Sequence, residues 1–169
     1  MTRLRNVLLA ALFAPALAIA ADPPVVVKFT DLSKFSDFRN SVAPGPRERE
    51  GLAGILQRYL EREGAERIPP NTRLLVTITD VDMAGEFRLG SSDVRVIREI
   101  YPPRIELDFK LVRADGGTEK EGHRELRDST FMWGSSPMSN ESMRYEKELL
   151  DGWLRREFAP PKRSANANR

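Results

Sequence analysis

The chain has 169 residues, with 27 Lys and Arg against 25 Asp and Glu, one histidine, no cysteine and an isoelectric point near 9.1. The missing cysteine excludes disulfides, thiolate metal sites, a cysteine nucleophile and a lipidated N-terminal cysteine. Without a basic surplus beyond the formal +2 there is no electrostatic footprint for nucleic acid.

Met1 to Asn6 is basic through Arg3 and Arg5, and Val7 to Ala20 is an uncharged apolar run ending in Ala18-Ile19-Ala20. These three parts match a cleavable secretory signal peptide over residues 1–20 and give a periplasmic expectation. The run is shorter than the ~20 residues that span a bilayer, so a retained anchor is the weaker alternative. Cleavage after Ala20 removes two arginines and no acid, leaving a neutral mature chain of one-domain size, about 150 residues. Residues 21–158 are expected to form one α+β domain. Ala159 to Arg169 carries almost no apolar content and is expected to be a disordered tail.

Val25 to Thr30, apolar without alternation, predicts a strand covered on both faces. Phe35 and Phe38 are expected to anchor the polar, turn-rich segment that follows. Pro46 opens a helix whose Leu52, Ile55, Leu56, Tyr59 and Leu60 form one apolar stripe. Gly64 is expected to stop that helix.

Leu74 to Asp82 predicts a second strand, parallel to the first if the helix is a right-handed crossover. Ile105, Leu107, Phe109 and Leu111 alternate with charges over Arg104 to Arg113, which predicts a strand with one wet face. Ala114-Asp115-Gly116-Gly117 reads as a hairpin turn. The charged return, Thr118 to Leu126, reads as a protected sheet edge. Ser135 to Ser142 reads as a loop with helix-cap residues. From Met143 to Phe158, Tyr145, Leu149, Leu150, Trp153 and Leu154 share a stripe, with Lys147, Glu148 and Asp151 expected off it. The order β-α-β-β-β-α predicts a two-layer α+β sandwich, with a mixed four-stranded sheet and two helices packed on one face.

Chemistry-bearing residues are sparse. The single histidine, His123, lies in the charged strand, and no Gly-x-Ser-x-Gly turn or phosphate-cradling glycine loop is present. One histidine without cysteine does not make a usual zinc set. Asp80 and Asp82 continue the even-numbered positions of Leu74, Val76 and Ile78, so an uninterrupted strand points both toward the core side. There they could hold Ca²⁺ or Mg²⁺ with Glu86, or act as an acid–base pair. The preferred reading ends the strand near Thr79 and leaves both aspartates solvated or paired in a turn. Arg95, Arg98 and Arg104 flank Tyr101-Pro102-Pro103, a stiff approach that permits a cis bond. Arginine forks beside Tyr101 suit an anionic ligand, but an internal ion-pair network with Asp80 and Asp82 explains both clusters and is preferred.

Four segments carry a resemblance: Val27-Lys28-Phe29 with Lys34-Phe35 and Asp37; Thr79 through Glu86; Val94-Arg95-Val96 through Tyr101-Pro102-Pro103-Arg104-Ile105-Glu106-Leu107; and Tyr145-Glu146-Lys147 with Leu149-Leu150 and Trp153. Together they resemble the domain of unknown function 3016 family, small exported proteins of Gram-negative bacteria. The resemblance implies an envelope location and a single domain, and brings no activity or functional residue with it.

The expected function is a non-enzymatic periplasmic binding or protein-interaction module, without a cofactor, whose partner is an envelope protein or a small ligand. The alternative is a Ca²⁺- or Mg²⁺-dependent hydrolase or metal-binding protein using Asp80, Asp82 and Glu86. A third reading is a structural envelope protein docking through its sheet edge. Candidate ligand-binding residues are Asp80, Asp82, Glu86, Arg95, Arg98, Tyr101 and Arg104; no catalytic residue or metal ligand is assigned. No membrane span is expected after cleavage.

Overall fold

The computed structural model describes residues 22–87, 94–133 and 140–158. The expected leader (1–20) and tail (159–169), and most of the expected Ser135–Ser142 loop, lie outside the described residues.

The main sheet has the order β1-β2-β5-β6, built from β1 (Val25–Phe29), β2 (Thr72–Asp82), β5 (Arg104–Arg113) and β6 (Thr118–Arg127). β1 runs parallel to β2, while β5 and β6 pair antiparallel. Helix α1 (Pro46–Arg67) links β1 to β2, and α2 (Arg144–Phe158) closes the chain. A second, two-stranded ribbon joins β3 (Glu86–Phe87) to β4 (Arg95–Val96) and was not foreseen from the sequence. The fold is therefore α+β, a mixed four-stranded sheet with two helices.

The alternation of β5 is as expected: Ile105, Leu107, Phe109 and Leu111 are buried and face Leu74, Val76 and Ile78 side by side on the inner sheet face. Burying such rows against a helix layer is the main stabilising term of this architecture. Trp153 of α2 sits in that layer, with its ring 5.6 Å from Phe109 and 5.8 Å from Phe158, both edge-on. Phe35 and Phe38 are buried 5.5 Å apart, anchoring their loop. No described helix is long and apolar enough to cross a membrane.

Several expectations are corrected. β1 is an edge strand with one buried face, since Val25 and Val27 are buried while Lys28 is exposed. Gly64 does not stop α1. The helix continues to Arg67, and Ile68 leaves it ahead of Pro69, as a residue before proline does. Gly64 instead lets the helix approach the sheet: an added Cβ would lie 3.1 Å from Val25 Cγ2. No described peptide bond is cis, so the Pro102-Pro103 approach is trans. In α2, Glu146, Lys147 and Asp151 are buried, because the helix faces α1 as well as the sheet. Arg67 of α1 reaches Asp151 at 2.7 Å, and Lys147 lies over the Tyr59 ring at 5.8 Å.

Candidate functional site: the end of β2

β2 neither ends near Thr79 nor carries its aspartates inward. The pairing with β5 shifts by one residue between Ile78 and Asp80. A bulge of this kind inverts the alternation beyond it. Val81 therefore enters the core, fully buried, while Asp80 and Asp82 emerge together on the outer face. The loop after β1 docks against this end of β2. Asp37 N–H donates to Val81 O at 3.2 Å, and Met83 N–H donates to Asp37 O at 3.0 Å.

Each sequence-flagged carboxylate has its own partner. Asp80 accepts from the Ser36 amide and hydroxyl, both at 2.6 Å. Asp82 Oδ2 lies 3.6 Å from Nε of Arg104, its cross-strand partner. Burial pushes the Asp82 carboxyl up, the Arg104 guanidinium opposes this, and Asp37 and Asp80 add to the rise. Glu86 lies 3.6 Å from Arg98 Nη1. It also accepts from the Tyr101 hydroxyl, which holds that phenol above its usual range. Among the described residues no group of three or more His, Cys, Asp or Glu is placed to hold a metal ion.

Arg95 serves a different purpose. Past β2 the chain turns away as Met83-Ala84-Gly85, all buried, so its backbone polar groups need partners within the protein. Arg95 Nη1 donates to the carbonyls of Met83, Ala84 and Gly85 at 3.3, 3.3 and 3.1 Å. Its Nη2 donates to Arg39 O at 2.9 Å, and Asp37 Oδ2 balances the charge at 3.0 Å. The Phe87 ring covers the guanidinium at 4.8 Å. The Ala84 amide donates to Glu146 Oε1 at 2.8 Å, and Gly85 N–H donates to Tyr101 O at 3.0 Å. Gly85 itself has φ +84°, and a Cβ there would lie 2.5 Å from Val96 O. Only glycine fits that conformation and that contact.

Glu146 is the residue of this candidate site that the sequence does not single out. It is only 2 % exposed, and burial pushes its carboxyl up despite the Ala84 hydrogen bond. The signal was available: Glu146 precedes Leu150 by four residues and Trp153 by seven, in phase with the buried stripe.

Arg95 and Glu146 also line a cavity of about 420 Å³ at the N-terminal end of α2. Met83, Ile97 and Met143 supply apolar walls, and Asn40, Asn140, Glu141, Ser142, Arg144 and Tyr145 make a polar rim. The Tyr145 ring is fixed edge-on against Phe131, with centroids 4.8 Å apart. Thus the seven flagged residues separate. Arg95 borders the cavity; Asp82 with Arg104, and Glu86 with Arg98 and Tyr101, form separate small clusters; Asp80 holds the Ser36 loop. His123 lies elsewhere, on the outer sheet face, with Nδ1 2.9 Å from Asp108 and a half-exposed ring.

No curated protein and no solved structure matches the chain. The model of the DUF3016 family, described as a protein of unknown function, matches residues 23–156, which takes in every element of the fold up to the last turn of α2. The chain belongs to the DUF3016 family.

Proposed function

We propose that the protein is a non-enzymatic binding module of the periplasm that takes a small ligand in the cavity beside Arg95 and Glu146. The observation that carries this reading is the division of labour at the end of β2. The arginines and carboxylates that resemble catalytic groups are engaged in holding backbone and one another. The cavity next to them combines apolar walls with a buried carboxyl, the composition of a ligand site. The ligand class it suits is a small amphipathic molecule, its apolar body along Met83, Ile97 and Met143 and its hydrogen-bonding head toward Asn40 and Glu146. Titration of the ¹⁵N-labelled protein with a library of small amines, amides and alcohols tests it. Hits should shift Ala84, Ile97 and Tyr145 together, and Ile97→Glu should abolish the response. Shifts confined to other surfaces would refute it.

A cation-dependent activity is the second reading, favoured by one observation: burial and the neighbouring Asp37 and Asp80 raise the Asp82 carboxyl, as a divalent ion would relieve. It requires Ca²⁺ or Mg²⁺ to raise the melting temperature over that in EDTA, and Asp82→Asn to remove the rise. Superimposable melting curves are the outcome expected from the binding-module reading.

A further inference from the structure

A second concavity, of about 270 Å³, lies on the other side of the α2 N-terminus, between that helix and the middle of α1. It is lined by Arg58, Arg62 and Lys147, with the Tyr59 ring and Ser142 between them. Arg58 and Arg62 are one turn apart on α1, so their side chains emerge side by side. Lys147 is held inward, 8 % exposed, with its ammonium over the Tyr59 ring. Arg62 lies over the same ring at 5.6 Å. These cations are only partly neutralised. Arg62 shares Glu63 with Arg67, and Lys147 meets Glu141. Arg58 makes no ion pair among the described residues.

We infer that this pocket is an oxyanion site, taking a phosphate group between Arg58, Arg62 and Lys147. Glu141, on a half-exposed side chain at the border with the neighbouring cavity, rests its carboxylate 2.7 Å from Lys147 Nζ and shows that this ammonium can hold an oxyanion. An incoming phosphate oxygen would displace it and add charge-assisted hydrogen bonds from the two guanidinium forks. The Tyr59 ring forms the floor and gives the cations a fixed platform. The two concavities adjoin, since Ser142 lines both and Glu141 lines the cavity beside Glu146, but none of the three cations lines that cavity, so substitution of Arg58 and Arg62 leaves its walls intact.

Two sources share this chemistry, a free phosphate or phosphomonoester and a phospholipid headgroup, and the test separates them. Inorganic phosphate is titrated at constant ionic strength, and the protein is sedimented with phosphatidylglycerol or phosphatidylcholine vesicles. Saturable phosphate binding assigns a free ligand; co-sedimentation with the anionic vesicles alone assigns a headgroup. In either case the doubly substituted Arg58→Gln, Arg62→Gln protein should bind about tenfold more weakly. Glu141→Gln should bind more tightly, because it removes the resident competitor. Arg47→Gln, on the same helix but away from the pocket, should bind as the unsubstituted protein does. Both arginines are exposed, so the double variant is expected to keep its circular dichroism and melting curve. Absence of binding in both arms, or binding by the double variant equal to that of the unsubstituted protein, overturns the inference.

Discussion

At the residue scale, the buried Glu146 and the partly buried Glu157 have opposite consequences for pH dependence. Burial raises the Glu146 carboxyl above the ordinary glutamate value of 4.5, so the folded state holds that proton more tightly than the unfolded chain. The stability this contributes is complete below pH 4.5 and is lost as pH rises through the raised folded value. Glu146→Gln keeps an oxygen for the Ala84 amide and removes the titration. Its unfolding free energy, from urea titrations, should match the parent near pH 4 and exceed it at pH 8. For Glu157, burial alone would raise the carboxyl, but hydrogen bonds from Arg124 and Lys120, with their charges, hold it below its usual range. Its contribution is present above pH 4.5 and fades as pH falls through the lowered value. Glu157→Gln should therefore cost about 1–3 kcal/mol at pH 7 in the same assay and progressively less in acid. Gly85 is decided by geometry. Gly85→Ala must strain the backbone and displace Val96 O, which should cost about 1–3 kcal/mol by urea unfolding.

At the element scale, what the sequence made legible was what periodicity encodes. Ile105 to Leu111 alternates over a full strand, and Leu52 to Leu60 repeats over a full helical stripe, so both elements and their buried faces were readable. The bulge in β2 was not. Thr79-Asp80 carries no glycine or proline to mark it, and the inversion follows from how Thr79 drops out of the β5 ladder. Its consequence governs the site, since it decides that Val81 is buried and that Asp80 and Asp82 leave the core. Gly64 was misread for a related reason: a glycine near a helix end has two uses, termination and close approach, and only Val25 Cγ2 beside it tells which applies. The burial of Lys147 and Asp151 depends on α1 lying next to α2, a long-range fact that helical periodicity does not contain. Arg95 was legible as part of a charged cluster, but its target was not. Carbonyls of a buried turn leave no mark on residue type.

At the scale of the whole molecule, two layers are tied across their edges by charged side chains reaching from the helices. Glu157 of α2 meets Lys120 at 2.6 Å and Arg124 at 2.9 Å on β6, while Arg67 of α1 meets Asp151 of α2 within the helix layer. These pairs cover the seams of a core that has no cysteine to reinforce it. Two concavities, the cavity beside Glu146 and the basic pocket beside Lys147, open beside the α2 N-terminus, and a third of about 520 Å³ lies at the opposite end of β2, between Pro23, Thr72 and Arg113. In the proposed function the end of the molecule at the α2 N-terminus binds while the charged groups around β2 hold it in shape. The most direct measurement is the chemical shift of the Ala84 amide, donated to Glu146, during titration with a ligand selected from the small-molecule library. A saturable shift that moves with those of Ile97 and Tyr145 and vanishes in Ile97→Glu is the expected result. An Ala84 signal that stays still while ligand binds elsewhere on the protein would contradict it.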